Sequence, residues 1–116
     1  IVRDLLRGRS RFSELRDSVV GIASNVLAER LRRLEAADVV HRRWYSRTPP
    51  RAEYILTPKG HGLGMAVGAL LLWGERYTDH DLALIDLECG HRVELAYRCP
   101  DCETATPRGR LRIVEP

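Results

Sequence analysis

Lysine is almost absent from this sequence. Only Lys59 is a lysine among its 19 basic residues, so the rest are arginine. Cysteine is scarce as well. There are three, all after residue 88, which argues against a secreted scaffold held by disulfides. No signal peptide is visible. The longest uncharged run, Gly62 to Gly74, is 13 residues, short of the ~20 needed to span a bilayer. These absences read as a cytoplasmic chain that makes no use of a membrane. Catalytic signatures are missing too. No Ser-His-Asp arrangement, phosphate-cradling loop or paired carboxylates survive their context. His61-Gly62-Leu63-Gly64 follows a helix cap rather than a strand, and His41 and His80 stand alone. The sequence does not read as an enzyme.

What is present is an ordinary globular composition, 44% hydrophobic and 30% charged over 116 residues. That is one domain, or one domain with a small appendage. The net charge of +3 is unevenly spread. Residues 1–50 carry an excess of basic groups, 51–80 balance, and 81–116 are slightly acidic. A one-sided basic field built from arginine, whose planar fork fits phosphate and guanine, points to nucleic acid. A GC-rich coding sequence also favours arginine over lysine, but it does not place the residues.

Along the chain, Ile1, Val2, Leu5 and Leu6 have helical spacing and Gly8 is a stop. The chain opens directly on this amphipathic segment without an initiator Met, and a further helix is expected ahead of it. Phe12, Leu15 and Val19 mark a short helix with Ser13 as its candidate N-cap, broken by Gly21. A longer helix over about 24–37 turns Leu27, Leu31 and Leu34 to the core and Asn25, Glu29, Arg32 and Arg33 outward, with Val26 at the polar edge. Two helices joined by a glycine turn form the helix-turn-helix pattern. A strand from Val39 to Tyr45, a Pro49-Pro50 loop held out of the ladder, and a return strand from Ala52 to Leu56 make a basic hairpin. Thr57-Pro58 then caps a helix to about Tyr77. It has one apolar stripe of Leu63, Ala66, Leu70, Trp73 and Tyr77 and another of Met65, Ala69 and Leu72. Two such faces call for two neighbours, the parent domain and a second copy of the chain. Five glycines between 60 and 74 weaken this helix by roughly 1 kcal/mol each.

The expected fold is therefore mainly α with a small β-hairpin wing. It is a winged helix-turn-helix over 1–57, a long dimerisation helix over 58–80, and a small zinc-ribbon-like β segment over 81–116. The strings Arg11-Phe12-Ser13-Glu14-Leu15, Gly21-Ile22, Leu27 to Glu35, and Pro49-Pro50-Arg51-Ala52-Glu53-Tyr54 leading to Leu56-Thr57-Pro58-Lys59-Gly60 resemble the HxlR family of bacterial winged helix-turn-helix transcriptional regulators over about residues 1–77. The resemblance implies a homodimer on a roughly palindromic operator, often as a repressor. Ala23 stands where that family commonly has serine, with Ser24 following. The family usually carries a cysteine before the first helix, an electrophile or redox sensor in some members. A small-molecule or electrophile effector is thus a further expectation, and a ligand pocket between the long helix and the helix-turn-helix is another.

On double-stranded DNA, the first turns of the recognition helix reach base edges in the major groove. Asn25 suits adenine, Val26 a thymine methyl and Glu29 a cytosine amine, beside Ser24, while Arg32 and Arg33 suit phosphate or guanine. Arg47 and Arg51 at the wing tip suit the minor groove, and Arg9, Arg11 and Ser13 suit phosphate. Against this stands a solvated helix face, and for Arg51 a salt bridge with Glu53. Met65, Ala69, Leu72, Trp73 and Tyr77 are the expected dimer contacts. A winged helix serving only protein interaction is the rival reading.

The tail reads Cys89-Gly90-His91, seven residues, then Cys99-Pro100-Asp101-Cys102. A Cys-x-x-Cys pair is one knuckle of a zinc ribbon, with Cys89 and His91 as the other. The Cys-x-His spacing is tighter than usual, and His80 or Asp86 are substitutes for His91. Residues 81–116 have few large apolar side chains, so a structural zinc would supply stability the segment lacks. The alternatives are three unrelated thiols, or a redox-sensing Cys99–Cys102 pair.

Overall fold

The computed structural model describes residues 1–79 and 81–116; His80, a substitute metal ligand on sequence grounds, lies outside them. The chain divides into two units, 1–68 and 69–116, with the break inside the long helix.

The first unit holds helices α1 (Val2–Leu6), α2 (Phe12–Ser18) and α3 (Ser24–Ala36), strands β1 (Val40–Arg47) and β2 (Pro50–Leu56), and the first half of α4 (Pro58–Tyr77). The leucines spaced along α3 do what their period implies. Leu27 and Leu31 are sealed against Leu5, Leu15, Val39, Val40 and Leu56. Each such side chain stabilises the unit by about 1.5–3 kcal/mol. Gly21, at φ +77°, makes the turn between α2 and α3, a conformation that favours glycine. The expected cap of α2 moves. The helix starts at Phe12, and the Glu14 carboxylate accepts the N–H groups of Ser10 (3.0 Å) and Arg11 (2.9 Å). A carboxylate satisfies two orphan donors at once, so Ser13 is not needed as a cap.

The wing is an antiparallel pair running from Val40 opposite Leu56 to Arg47 opposite Pro50. Pro50 was expected outside the ladder, yet it is the first residue of β2, a position where a missing donor is tolerated. The register slips between Trp44 and Ser46, leaving Tyr45 as the extra residue of a bulge. The α1–α2 linker closes on the wing, with an isolated backbone β-bridge between Arg11 and Glu53 and the Tyr54 N–H donating to the Ser10 carbonyl at 2.7 Å.

Thr57 caps α4 as expected, its hydroxyl accepting the Gly60 N–H at 3.1 Å and donating to the Asp38 carbonyl at 2.6 Å. The glycines of α4 have a use that propensity does not reveal. A Cβ on Gly60 would lie 2.1 Å from the Val39 carbonyl oxygen, and one on Gly64 3.1 Å from Leu6. It is this glycine edge that meets the domain. Leu63, Met65 and Leu70 stay exposed, so the leucine stripe is not the buried one.

In the second unit, the expected β segment over 81–116 shrinks to β3 (Tyr97–Arg98) paired with β4 (Ala105–Thr106), an isolated Ile85–Arg92 bridge and a 3₁₀ turn, Arg108–Arg110. Leu87 and Ile113 are almost fully exposed. With no apolar layer to cover them, longer ladders gain little. Arg92 forms an ion pair with Glu75 of α4.

Candidate nucleic-acid interface

The recognition face is built on the first turns of α3. The helix begins at Ser24 after Ala23, which offers no capping side chain. Ser24, Asn25 and Val26 are exposed beside Glu29 and Arg30. Asn25, Val26, Glu29, Arg30 and Arg33 line a shallow concavity of about 340 Å³. Glu29 is occupied within the helix, accepting from Arg32 at 2.7 Å and Arg33 at 3.2 Å. Those hydrogen bonds hold its carboxyl below the usual glutamate range. Asn25 and Val26 are thus open to base edges, whereas Glu29 must exchange partners to accept from a base.

Arginines elsewhere in the unit are largely matched. Arg3, Arg7 and Arg9 face Asp4, Arg16 faces Asp17, Arg42 faces Glu35 and Arg43 faces Glu53. Among the described residues Arg11, Arg30, Arg47 and Arg51 form no ion pair with a carboxylate, and of these Arg47 and Arg51 belong to the wing. They flank the Thr48-Pro49 tip and are exposed. The salt bridge weighed for Arg51 is not formed, because Arg43, directly across the ladder, takes Glu53. The Ser46 hydroxyl donates to the Pro49 carbonyl at 2.9 Å and stiffens the tip.

Arg9 and Arg11 part ways. Arg9 turns inward, donating to Ser18 at 2.7 Å and Asp4 at 3.3 Å. Asp4 is fully buried, and Ser18 donates to it at 2.5 Å. Burial alone would raise the Asp4 carboxyl; the Ser18 hydrogen bond and the Arg3 guanidinium outweigh it and hold the group below the usual aspartate range. Arg9 is therefore a structural residue. Arg11 stays on the surface with its guanidinium 5.2 Å from the centre of the Tyr45 ring, and Arg42 lies 5.0 Å from that of Trp44. Both are cation–π distances. Sequence reasoning missed Tyr45, because the bulge that aims it has no sequence signature beyond an aromatic in a basic strand. Ser13 is exposed on the first turn of α2.

The cysteines sit on two turns of the second unit. In the first, the Asp86 carboxylate accepts the N–H groups of Glu88 (2.7 Å) and Cys89 (3.2 Å), and the Gly90 N–H donates to the Asp86 carbonyl (2.8 Å). Asp86 is thereby used as a turn former. In the second, the Cys99 N–H donates to the Thr104 carbonyl at 3.1 Å, closing the Cys99–Cys102 turn. The Cys102 N–H and thiol, with the Asp101 N–H, bring the Cys99 thiol below its ordinary range. All three thiols are free. Among the described residues no three His, Cys, Asp or Glu side chains converge as a metal-holding group; Cys89, His91, Cys99 and Cys102 lie on their separate turns. Of the expected dimer contacts, Met65, Trp73 and Tyr77 are well exposed and Ala69 and Leu72 partly so. No helix among the described residues is long and apolar enough to cross a membrane.

The chain is similar to known proteins in sequence and fold. The chain is 40% identical over 79 residues to the HTH-type transcriptional regulator YvaP of Bacillus subtilis, covering 68% of this chain and 73% of YvaP. Among solved structures, the candidate transcription factor PA1607 superposes with a TM-score of 0.80 at 31% identity, over 99% of this chain and 82% of that one. The reduced form of the redox regulator HypR superposes with a TM-score of 0.61 at 37% identity, over 65% and 74% of the two chains. These relatives are transcription regulators rather than enzymes. Residues 1–82 match the HxlR-like helix-turn-helix family, and the chain belongs to that family of transcriptional regulators.

Proposed function

We propose that the protein binds double-stranded DNA in the cytoplasm as a homodimer on a palindromic operator and represses transcription there. Asn25 and Val26 of α3 read base edges in the major groove, while Arg47 and Arg51 enter the minor groove. One observation carries this reading. Eight arginines of the first unit are matched by carboxylates, while the four without an ion pair among the described residues, Arg11, Arg30, Arg47 and Arg51, are all exposed, and two of them flank the wing tip. Such a pair is available to release counterions from DNA.

Selection from a random DNA pool tests it, with an enriched inverted repeat as the expected result and its absence as the overturning one. On that repeat, Arg47→Ala or Arg51→Ala lowers affinity about equally for all sequences and flattens the log K against log salt slope by about 0.9. Asn25→Ala instead relaxes one base position at about 1–3 kcal/mol. A protein-interaction module would show no counterion-release slope.

For the tail, we propose a structural zinc held by Cys89, His91, Cys99 and Cys102, which would draw the two cysteine turns together. The Cys99–Cys102 turn supports a second reading, thiol-based sensing, because Cys99 is the thiol brought down by its neighbours and a relative, HypR, is a redox regulator. Zinc content separates the two. About one zinc per chain, lost to chelator with a fall in stability, supports the first. A zinc-free protein that forms a Cys99–Cys102 disulfide under peroxide supports the second.

A further inference from the structure

The second unit carries a groove of about 690 Å³. Trp73, Arg76 and Tyr77 of α4 line one side and Glu94, Leu95 and Tyr97 the other. The Trp73 and Tyr77 rings are 5.4 Å apart and tilted at 41°, and both are more than half exposed, as is Tyr97. Exposed aromatics beside an arginine are the composition of an interface centre. The charges are more informative. Arg76 lies over the Tyr77 ring at 5.7 Å, and among the described residues neither Arg76 nor Glu94 has an ion-pair partner.

A groove that holds one unpaired cation and one unpaired anion is complementary to itself. Under two-fold symmetry, Arg76 of each copy meets Glu94 of the other, so one contact is made twice. A ligand of single charge would leave one of the two groups unmatched. We infer that a second copy of this chain docks in the groove through reciprocal Arg76–Glu94 pairs. The tail residues Glu94, Leu95 and Tyr97 are then part of the dimer interface, and α4 does not form it alone. This rests on the homodimer reading above and adds where the two copies meet.

Sedimentation equilibrium of the full chain tests the inference, using wild type, Arg76→Glu, Glu94→Arg and an equimolar mixture of the two variants, with circular dichroism as the folding control. The wild type is expected to dimerise. Each single variant, placing like charges opposite each other twice, should weaken dimerisation roughly tenfold or more. The mixture should recover it, because in the mixed dimer both pairs again have opposite charges. Recovery on mixing has no explanation within one chain. If the wild type dimerises and neither variant weakens it, the groove is not the interface although the homodimer stands. If both variants weaken it and the mixture recovers nothing, the reciprocal pairing is wrong. A wild type monomeric at about 100 µM, far above the micromolar affinity of a modest interface, overturns both readings.

Discussion

Residues 1–68 bury seven aliphatic side chains, from Leu5 to Leu56, while among the described residues of 69–116 no large hydrophobic side chain is buried. The first unit has a core of its own beneath the exposed face of α3 and the wing. The second has short ladders, two hydrogen-bonded cysteine turns and an open aromatic groove. A chain of this size does not need uniform stability. Stability is concentrated in the first unit, and the elements of a protein that move or respond are drawn from its low-stability end.

The largest expected effect lies in this contrast. Leu15→Ala should destabilise the first unit by about 3 kcal/mol, whereas Ile113→Ala, fully exposed, should stay within about 0.5 kcal/mol. Urea denaturation of both variants measures the difference, and equal losses would erase the distinction between the units. Next comes the buried carboxylate of the first unit. The folded-state pKa of Asp4 lies below its unfolded value. Its contribution is therefore complete above the unfolded pKa of about 4 and disappears as pH falls through the lower folded value. Asp4→Asn should reduce stability at pH 7 by roughly 2 kcal/mol and remove that acid-dependent part, as read from denaturation midpoints between pH 7 and 3. A parallel pH dependence in wild type and variant would assign the acid sensitivity elsewhere. The smallest effect sharpens the surface of the first unit. Tyr45→Ala should weaken operator binding by about 0.5–1 kcal/mol by freeing Arg11, and Tyr45→Phe, which keeps the ring, should restore it. Equal losses in the two variants would mean that the ring face does not hold the guanidinium.

The same contrast governs how much could be read in advance. The helices of the first unit were legible because their apolar period is set by a core the sequence itself supplies: Leu27 and Leu31 on α3, and Thr57-Pro58 at the start of α4. The exposure of Ser24, Asn25 and Val26 followed, since a face opposite a core stripe must meet solvent. What was not legible depends on geometry across the chain. Tyr45 is aimed by a bulge, Arg9 is drawn inward by Asp4 on another helix, and Arg51 is left free because Arg43 stands closer to Glu53 in the ladder. In the tail, the expected β segment is reduced to short pairs, because the described residues there offer no apolar layer to cover longer strands.

The join between wing and long helix has a mechanical consequence. At Gly60 the helix backbone rests against the Val39 carbonyl with no side chain between them, and the Thr57 hydroxyl is hooked to the Asp38 carbonyl beside it. Side chains act as springs because their rotamers yield, and here there is none to yield. The first turn of α4 therefore bears directly on Val39 and Val40, the root of the wing that carries Arg47 and Arg51. The coupling is stiff because of an atom the residue does not have. Even a single methyl at position 60 would wedge the helix away from the strand.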